Sequence, residues 1–422
     1  MAGKAEICRI KYCAVKKIPL YLQIIAALVL GLLFGTFCPS AVPYIRWIGN
    51  LFMNALTMLI VPIVFFSVST SVEGICSGSG GAFGRIGGKA LGLYVLTMLL
   101  AILTGLGLVW AIHPGSAVTG VTLSAETPGN IGQMSATDIV SGFIPSNIFY
   151  AFAQNNTVPV IFISIFFGYL VTKISSEGKK AIDAILHGGY EITMKMMEIV
   201  IRFAPLGIFA IVAKQFADAG DVGAMLKNML GYVLTVTAGL LIQTFITLPL
   251  LLLILGRVNP FKHFRNMGVP LLTAFSTASS GAALPLTLQA VKERDGVSGR
   301  IADFVVSLGA TINMNGAALL ECVAVIFIAQ VYGVELTFLQ TVMISFLSLL
   351  CAIGSAGVPM SAMVMMAIIL NVVGLPAEGI GLVIGIDRIL DMLRTAVNVY
   401  GDTCVAVIVA RSEGEKLTID LK

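Results

Sequence analysis

The sequence predicts an all-α polytopic membrane protein, and three observations carry that prediction. Hydrophobic residues make up 57% of the 422 residues and charged residues only 11%, against about 25% charged in soluble domains. Apolar runs long enough to cross a bilayer, about 20 residues each, recur along the chain, and the mean hydropathy is +0.96. Lys and Arg gather in the short stretches between these runs. The net charge of +4 is small and gives no argument for a nucleic-acid partner. The seven cysteines show neither metal spacing nor a disulfide framework, and the three histidines are too scattered to suggest a zinc site.

In chain order, the spans expected from the apolar runs are about 18–37, 47–72, 88–112, 156–173, 193–216 and 228–256. The first follows "KKIP" and precedes further spans, so it reads as a retained helix rather than a cleaved signal. The region 262–372 is apolar but broken by Gly, Ser and Pro, and a last span covers about 376–410.

Basic residues set the orientation. They cluster at Lys4 to Lys17, Arg85/Lys89, Lys173 to Lys180, Arg257 to Arg265, Lys292 to Arg300 and Arg411 to Lys422, while no Lys or Arg occurs between Lys89 and Lys173. The polar stretch at about 114–140 is therefore outside, and both termini are cytoplasmic. Lys262/Arg265 and Lys292/Arg294 are then on the same side, so the apolar segment between them enters and returns. The mirror case lies outside, between "VYGVEL" (331–336) and "NVVGLPAEG" (371–379). Two re-entrant hairpins of opposite orientation follow, with tips "STASSGAALP" (276–285) and "AIGSAGVP" (352–359). Broken backbone at membrane depth needs protein or a cavity to cover it, and paired Gly/Pro interruptions mark transporter sites. A kinked pair of ordinary spans is the plainer alternative for each.

The last span, "GIDRILDMLRTAVNVYGD" (385–402), carries the chemistry. Asp387, Asp391, Arg394, Thr395, Asn398 and Asp402 fall on one helical stripe. Such residues at depth face a cavity, a partner or a substrate path. An internal Asp–Arg pair locking helices together would account for one or two of them, not for six. Arg394 can hold a carboxylate in a bidentate fork, and Asp391, one turn away, can take an ammonium. Asn398 and Asp402 offer hard oxygens to Na⁺, and Gly309 and Asn313 on the preceding helix add a carbonyl and an amide oxygen. An amino acid with cations beside it fits this set.

The segments "SSG…LP", "GATINMNG", "IGSAGVP" and "DMLRTAVNVYGD" resemble, in order, the motifs of the glutamate transporter family, the dicarboxylate/amino acid:cation symporters, and the chain is similar to its prokaryotic homologues. The resemblance implies eight transmembrane helices plus the two hairpins, an elevator mechanism, and a homotrimer in the inner (plasma) membrane. It further implies a division into 1–75 (scaffold helices one and two), 76–180 (transport helix three, scaffold helix four), 181–261 (scaffold helix five, transport helix six) and 262–422 (transport core). Asp391 would bind the substrate amino group, Arg394 its side-chain carboxylate, and Thr395 and Asn398 would complete the site with backbone near Ser279, Ser280 and Gly357. One sodium site would use Gly309, Asn313, Asn398 and Asp402. A second would use carbonyls near Thr311, Ala352, Ile353 and Ser355.

The chain departs from the family where a third sodium site is expected. Tyr94 and Thr97 match, but Asn315 stands where the family has Asp, Ala317 where it has Thr, and Met98 where it has Ser. A thioether is a poor ligand for a hard cation, so this site is expected to be absent or weak. Glu321 occupies the place of a Glu found in proton- and potassium-coupled members. An apolar environment favours the protonated form of a carboxyl, so Glu321 is a candidate proton carrier; a buried acid that only packs is the alternative. The expected cofactors are Na⁺ and H⁺, and the expected substrate is aspartate or glutamate, with a neutral-amino-acid or dicarboxylate symporter as the alternative. A membrane hydrolase is disfavoured: no span holds a suitable His, "GSGG" (78–81) lies in an inner loop, and Asp387 and Asp391 share one helix beside Arg394.

Overall fold

The computed structural model describes residues 20–77, 82–116, 144–154, 157–218, 222–354 and 361–421; these form helices joined by turns and short irregular links, with one isolated bridge between Val258 and Asp420. In chain order the helices are α1 (Leu20–Phe37), α2 (Val42–Ser77), α3 (Ala82–Ile112), α4 (Ile148–Ala153), α5 (Thr157–Val171), α6 (Ser176–Arg202) and α7 (Ala204–Asp218). Then follow α8 (Val222–Gly256), α9 (Pro260–Asn266), α10 (Gly268–Thr277), α11 (Ser280–Glu293) and α12 (Gly299–Ile312). The last are α13 (Asn315–Val331), α14 (Phe338–Gly354), α15 (Ser361–Val372) and α16 (Gly381–Ser412).

Among the described residues, four helical stretches are long and apolar enough to cross a membrane: Pro39–Gly74, Arg85–Ile112, Val222–Gly256 and Gly299–Val331. The span expected at 193–216 is corrected. It is two helices, α6 and α7, meeting at 56°. The cause is local: Pro205 cannot continue α6, disfavours helical geometry before it, and fits the first turn of a new helix. In α8 the chain keeps its direction but passes through π-helical turns at Gln243–Thr247 and Leu252–Gly256. Pro249 removes one helical donor between them, and the first π turn aims the buried Gln243 inward.

Two packing groups result. The helices α1, α5, α6 and α7 pack with α2 or with each other, whereas α3, α8 and α10 to α13 gather around α16. The hairpin signals are legible in this second group. α10 and α11 pack against each other across a turn at Ala278, whose φ of 50° is left-handed, and Ser279 caps α11 by accepting from the Ala282 N–H at 3.3 Å. α14 and α15 also pack together. Their predicted tip residues Ser355 and Gly357 lie outside the described residues, as do the loop 78–81 and the basic cluster before residue 20.

Candidate substrate and cation site

The break between α12 and α13 builds the centre of the site. Asn313 and Met314 leave helical geometry with ψ of 73° and 56°, and residues 312–329 around and beyond the break are all buried. Unwound backbone there exposes peptide groups that must find partners inside the protein. Ser280, buried at the tip of the α10–α11 hairpin, donates its hydroxyl to the Ala310 carbonyl at 3.0 Å. The Gly316 N–H, in the first turn of α13, donates to Asn398 Oδ1 at 2.7 Å. These two bonds fix the hairpin tip and α16 against the break.

Asn313 links three helices. Its Nδ2 donates to Asp402 Oδ1 at 2.9 Å, and its Oδ1 accepts from Thr97 Oγ1 of α3 at 3.0 Å. Gly309 makes the approach possible: a Cβ there would lie 2.6 Å from Asp402 Oδ1. Gly401 does the same on the opposite side, where a Cβ would lie 2.4 Å from Asn315 Nδ2 and 3.0 Å from Asn313 Nδ2. Gly309, Asn313 and Asp402 are thus brought together as expected, and Asn398 sits one turn along α16, its Nδ2 directed at Met314 Sδ at 3.2 Å.

All six residues of the α16 stripe are buried. Arg394 bridges its own helix: Nη2 is 2.8 Å from Asp391 Oδ1 and Nη1 is 3.3 Å from Asp387 Oδ1. An Asp–Arg pairing is therefore present, but it lies within α16 and does not lock two helices together as the sequence alternative had it. Thr395 Oγ1 donates to the Asp391 carbonyl at 2.7 Å. Arg388, which sequence reasoning passed over, is 3.4 Å from Asp391 Oδ2. A guanidinium shared by two carboxylates is balanced without being sequestered, since its five donors exceed what the two contacts consume.

Around this centre the other expected residues fall as follows. Tyr94 donates its hydroxyl to the Val305 carbonyl of α12 at 2.5 Å, and Thr97 Oγ1, 2.9 Å from the Tyr94 carbonyl of its own helix, also reaches Asn313 Oδ1 at the end of α12. Met98 is buried beside them in the chain. Asn315 is buried, and neither of its amide atoms has a hydrogen-bond partner among the described residues. Glu321, also fully buried, likewise has neither carboxyl oxygen paired, and it lies within electrostatic reach of Arg394 and Asp387. Thr311 is exposed and bonds the Leu308 carbonyl. Ala352 is buried near the end of α14, where the Gly354 carbonyl accepts from Ser67 Oγ at 2.7 Å, and Ile353 is partly buried against the core. Gln243, not anticipated, donates to the Thr97 carbonyl at 3.1 Å. A lone amide in the apolar run "GLLIQTFITLP" was its signal.

Residues 20–412 match the sodium:dicarboxylate symporter family. The chain is 33% identical over 424 residues to the putative sodium-dependent excitatory amino acid transporter glt-4 of Caenorhabditis elegans, covering 87% of this chain and 83% of that protein. It is 31% identical to excitatory amino acid transporter 3 of Mus musculus, covering 94% and 86%. It is 32% identical to the neutral amino acid transporter B(0) of Homo sapiens, covering 84% and 71%.

Proposed function

Because the chain belongs to the sodium:dicarboxylate symporter family, and its family members are transporters rather than enzymes, we propose that it imports an acidic amino acid, aspartate or glutamate, by sodium symport. The observation that carries this reading is Arg394, a guanidinium buried at the centre of α16 and flanked by Asp391 and Asp387. Its contacts to the two carboxylates leave further N–H donors for a substrate carboxylate, which a neutral side chain does not supply. Among relatives named for acidic and for neutral amino acids alike, this residue supports the acidic class.

In this reading the substrate side-chain carboxylate takes Arg394 and its amino group takes Asp391. Thr395, Asn398 and the tip backbone near Ser279, Ser280 and Gly357 complete the site. Gly309, Asn313, Asn398 and Asp402 hold one Na⁺. Carbonyls near Thr311, Ala352, Ile353 and Ser355 hold a second. The Tyr94/Thr97/Asn315 site has lost its carboxylate and binds sodium weakly or not at all. Eight transmembrane helices and two re-entrant hairpins, with the α3/α8/α10–α16 group moving as an elevator against the α1/α2/α5–α7 group in a homotrimer, complete the proposal. The membrane is the cell's inner (plasma) membrane, with both termini cytoplasmic. A second reading, proton coupling through Glu321, is favoured by the burial and unpaired carboxyl of that residue.

The test is uptake of radiolabelled aspartate into proteoliposomes under an inward sodium gradient. Accumulation above the external concentration is expected, blocked by excess aspartate or glutamate and not by alanine or serine. Simple equilibration would indicate a channel, and full competition by alanine would overturn the acidic class.

A further inference from the structure

The segment after α16 does not leave the molecule. Leu417 and Ile419 are buried, and the backbone between Glu413 and Leu421 is stitched to both feet of the α9–α11 hairpin. On the first foot, the Asn259 N–H donates to the Ile419 carbonyl at 2.9 Å and Lys262 Nζ donates to the Thr418 carbonyl at 2.5 Å. Val258 pairs with Asp420 in an isolated antiparallel bridge. On the second foot, the Thr418 N–H donates to the Asp295 carbonyl at 3.0 Å, the Thr418 hydroxyl donates to the Arg294 carbonyl, and Glu415 Oε2 accepts from the Ser298 N–H at 3.0 Å.

Asp295 joins this strap to a polar node whose centre, Asp295, His263 and Thr403, is fully buried. Its Oδ2 is 2.7 Å from His263 Nδ1, and its Oδ1 accepts from Asn266 Nδ2 at 2.7 Å. His263 Nε2 is 3.0 Å from Thr403 Oγ1 on α16, and the Tyr400 ring stacks on the imidazole. Arg294 closes the node by donating to the Asn266 carbonyl at 3.0 Å. Both chain ends of the hairpin, the substrate helix and the tail therefore meet around Asp295: the first foot at its carboxylate, the tail at its backbone carbonyl, and α16 through His263.

We infer that His263, Asp295 and the Glu413–Leu421 strap are positioning elements of the transport cycle: they bind the feet of the inner hairpin to α16, so that hairpin and substrate helix move as one body and the tip serines keep their register with Arg394. The hairpin has a second tether at its other end, the Ser280 bond to Ala310. A body held at foot and tip has little freedom to hinge, and it presents a preformed half-site to the substrate. The consequence for substrate rests on the proposed import of an acidic amino acid, but the mechanical claim does not.

Hydrogen exchange on the full-length protein in nanodiscs separates the two. The variants are Asp295→Asn, which weakens the charged node, Thr418→Pro, which removes the strap's N–H and hydroxyl donors and leaves the node's side-chain bonds in place, and the pair Thr403→Val and Thr403→Ser. Expected is exchange of the amides of 259–297 about tenfold or more faster in Asp295→Asn, Thr418→Pro and Thr403→Val. Amides of α1 and α2 stay at the wild-type rate, and Thr403→Ser, which keeps the hydroxyl, behaves as wild type. In proteoliposomes the same three variants raise KM for aspartate with kcat little changed. Unchanged hairpin exchange, or acceleration spread evenly through every helix, overturns the inference. Failure of wild-type aspartate uptake would sink the substrate reading and leave the exchange result to stand by itself.

Discussion

Asn315 is buried with both amide atoms unpaired among the described residues, an arrangement costing about 1–3 kcal/mol for each polar group. It packs against Gly401 beside Asn313, one α-helical face from the Asp402 carboxylate. An aspartate at 315 would bring a second carboxylate to the same spot, which a cation would have to balance. Restoring the lost ligands with Asn315→Asp and Met98→Ser is therefore expected to steepen the sodium dependence of uptake. A wild type already as steep as the double variant would refute the idea that this site is degraded. Arg394 gives the complementary prediction. Arg394→Cys removes charge-assisted bonds worth about 3 kcal/mol together, so KM for aspartate should rise about a hundredfold, while a neutral amino acid becomes the better substrate. Competition curves against both would show it; unchanged preference would remove Arg394 from the site.

The α12 break and the end of α16 matter as elements. Gly309 lets the Asp402 carboxylate close on the backbone of α12, and a methyl there would meet Oδ1 at 2.6 Å. Overpacking of this kind costs about 1–3 kcal/mol, so Gly309→Ala should raise the sodium concentration for half-maximal uptake about tenfold, with expression and helix content unchanged by circular dichroism. At the other end of α16, Glu413 receives Arg85 Nη2 at 2.5 Å and Lys89 Nζ at 2.6 Å, and these cations hold its carboxyl down to about 2. A depressed carboxyl contributes stability that is present above its ordinary value near 4.3 and is lost as pH falls toward 2. The Tm gap between wild type and Glu413→Gln should thus be flat near neutrality and shrink in acid.

What the sequence disclosed at this scale follows from how each signal is written. The α16 stripe was legible because polar residues in an apolar run declare a face through 3.6-residue periodicity. The α10–α11 break was legible because small residues and a proline, "STASSGAALP", interrupt an apolar segment bracketed by Lys and Arg. The α6–α7 bend was missed because hydropathy over 193–216 is continuous and Pro205 is a one-residue signal. The Gln243–Thr97 and Ser67–Gly354 bonds were beyond reach, since each joins residues far apart in sequence and only packing reveals the partner. The His263–Asp295–Thr403 node was hidden for the same reason, its three members looking like an isolated histidine and two loop or helix polar residues.

For the whole molecule, the proposed movement of one helical group against the other needs a gradient to drive it. Glu321 lies in α13, within the α3/α8/α16 group, fully buried and within electrostatic reach of Arg394 and Asp387. If the carboxyl is charged, it loads the low-dielectric core with a charge that nothing among the described residues hydrogen-bonds, at a cost of several kcal/mol. If it is protonated, the group would make the proposed crossing with one charge fewer. A proton taken up on one side and released on the other would then travel with the substrate. Glu321→Gln fixes the neutral form at nearly the same volume. In proteoliposomes with equal sodium on both sides, an inward proton gradient should speed aspartate uptake by the wild type and leave Glu321→Gln unaffected, while an inward sodium gradient drives both. Equal responses of the two proteins to the proton gradient would make Glu321 a packing residue and leave sodium as the sole driver.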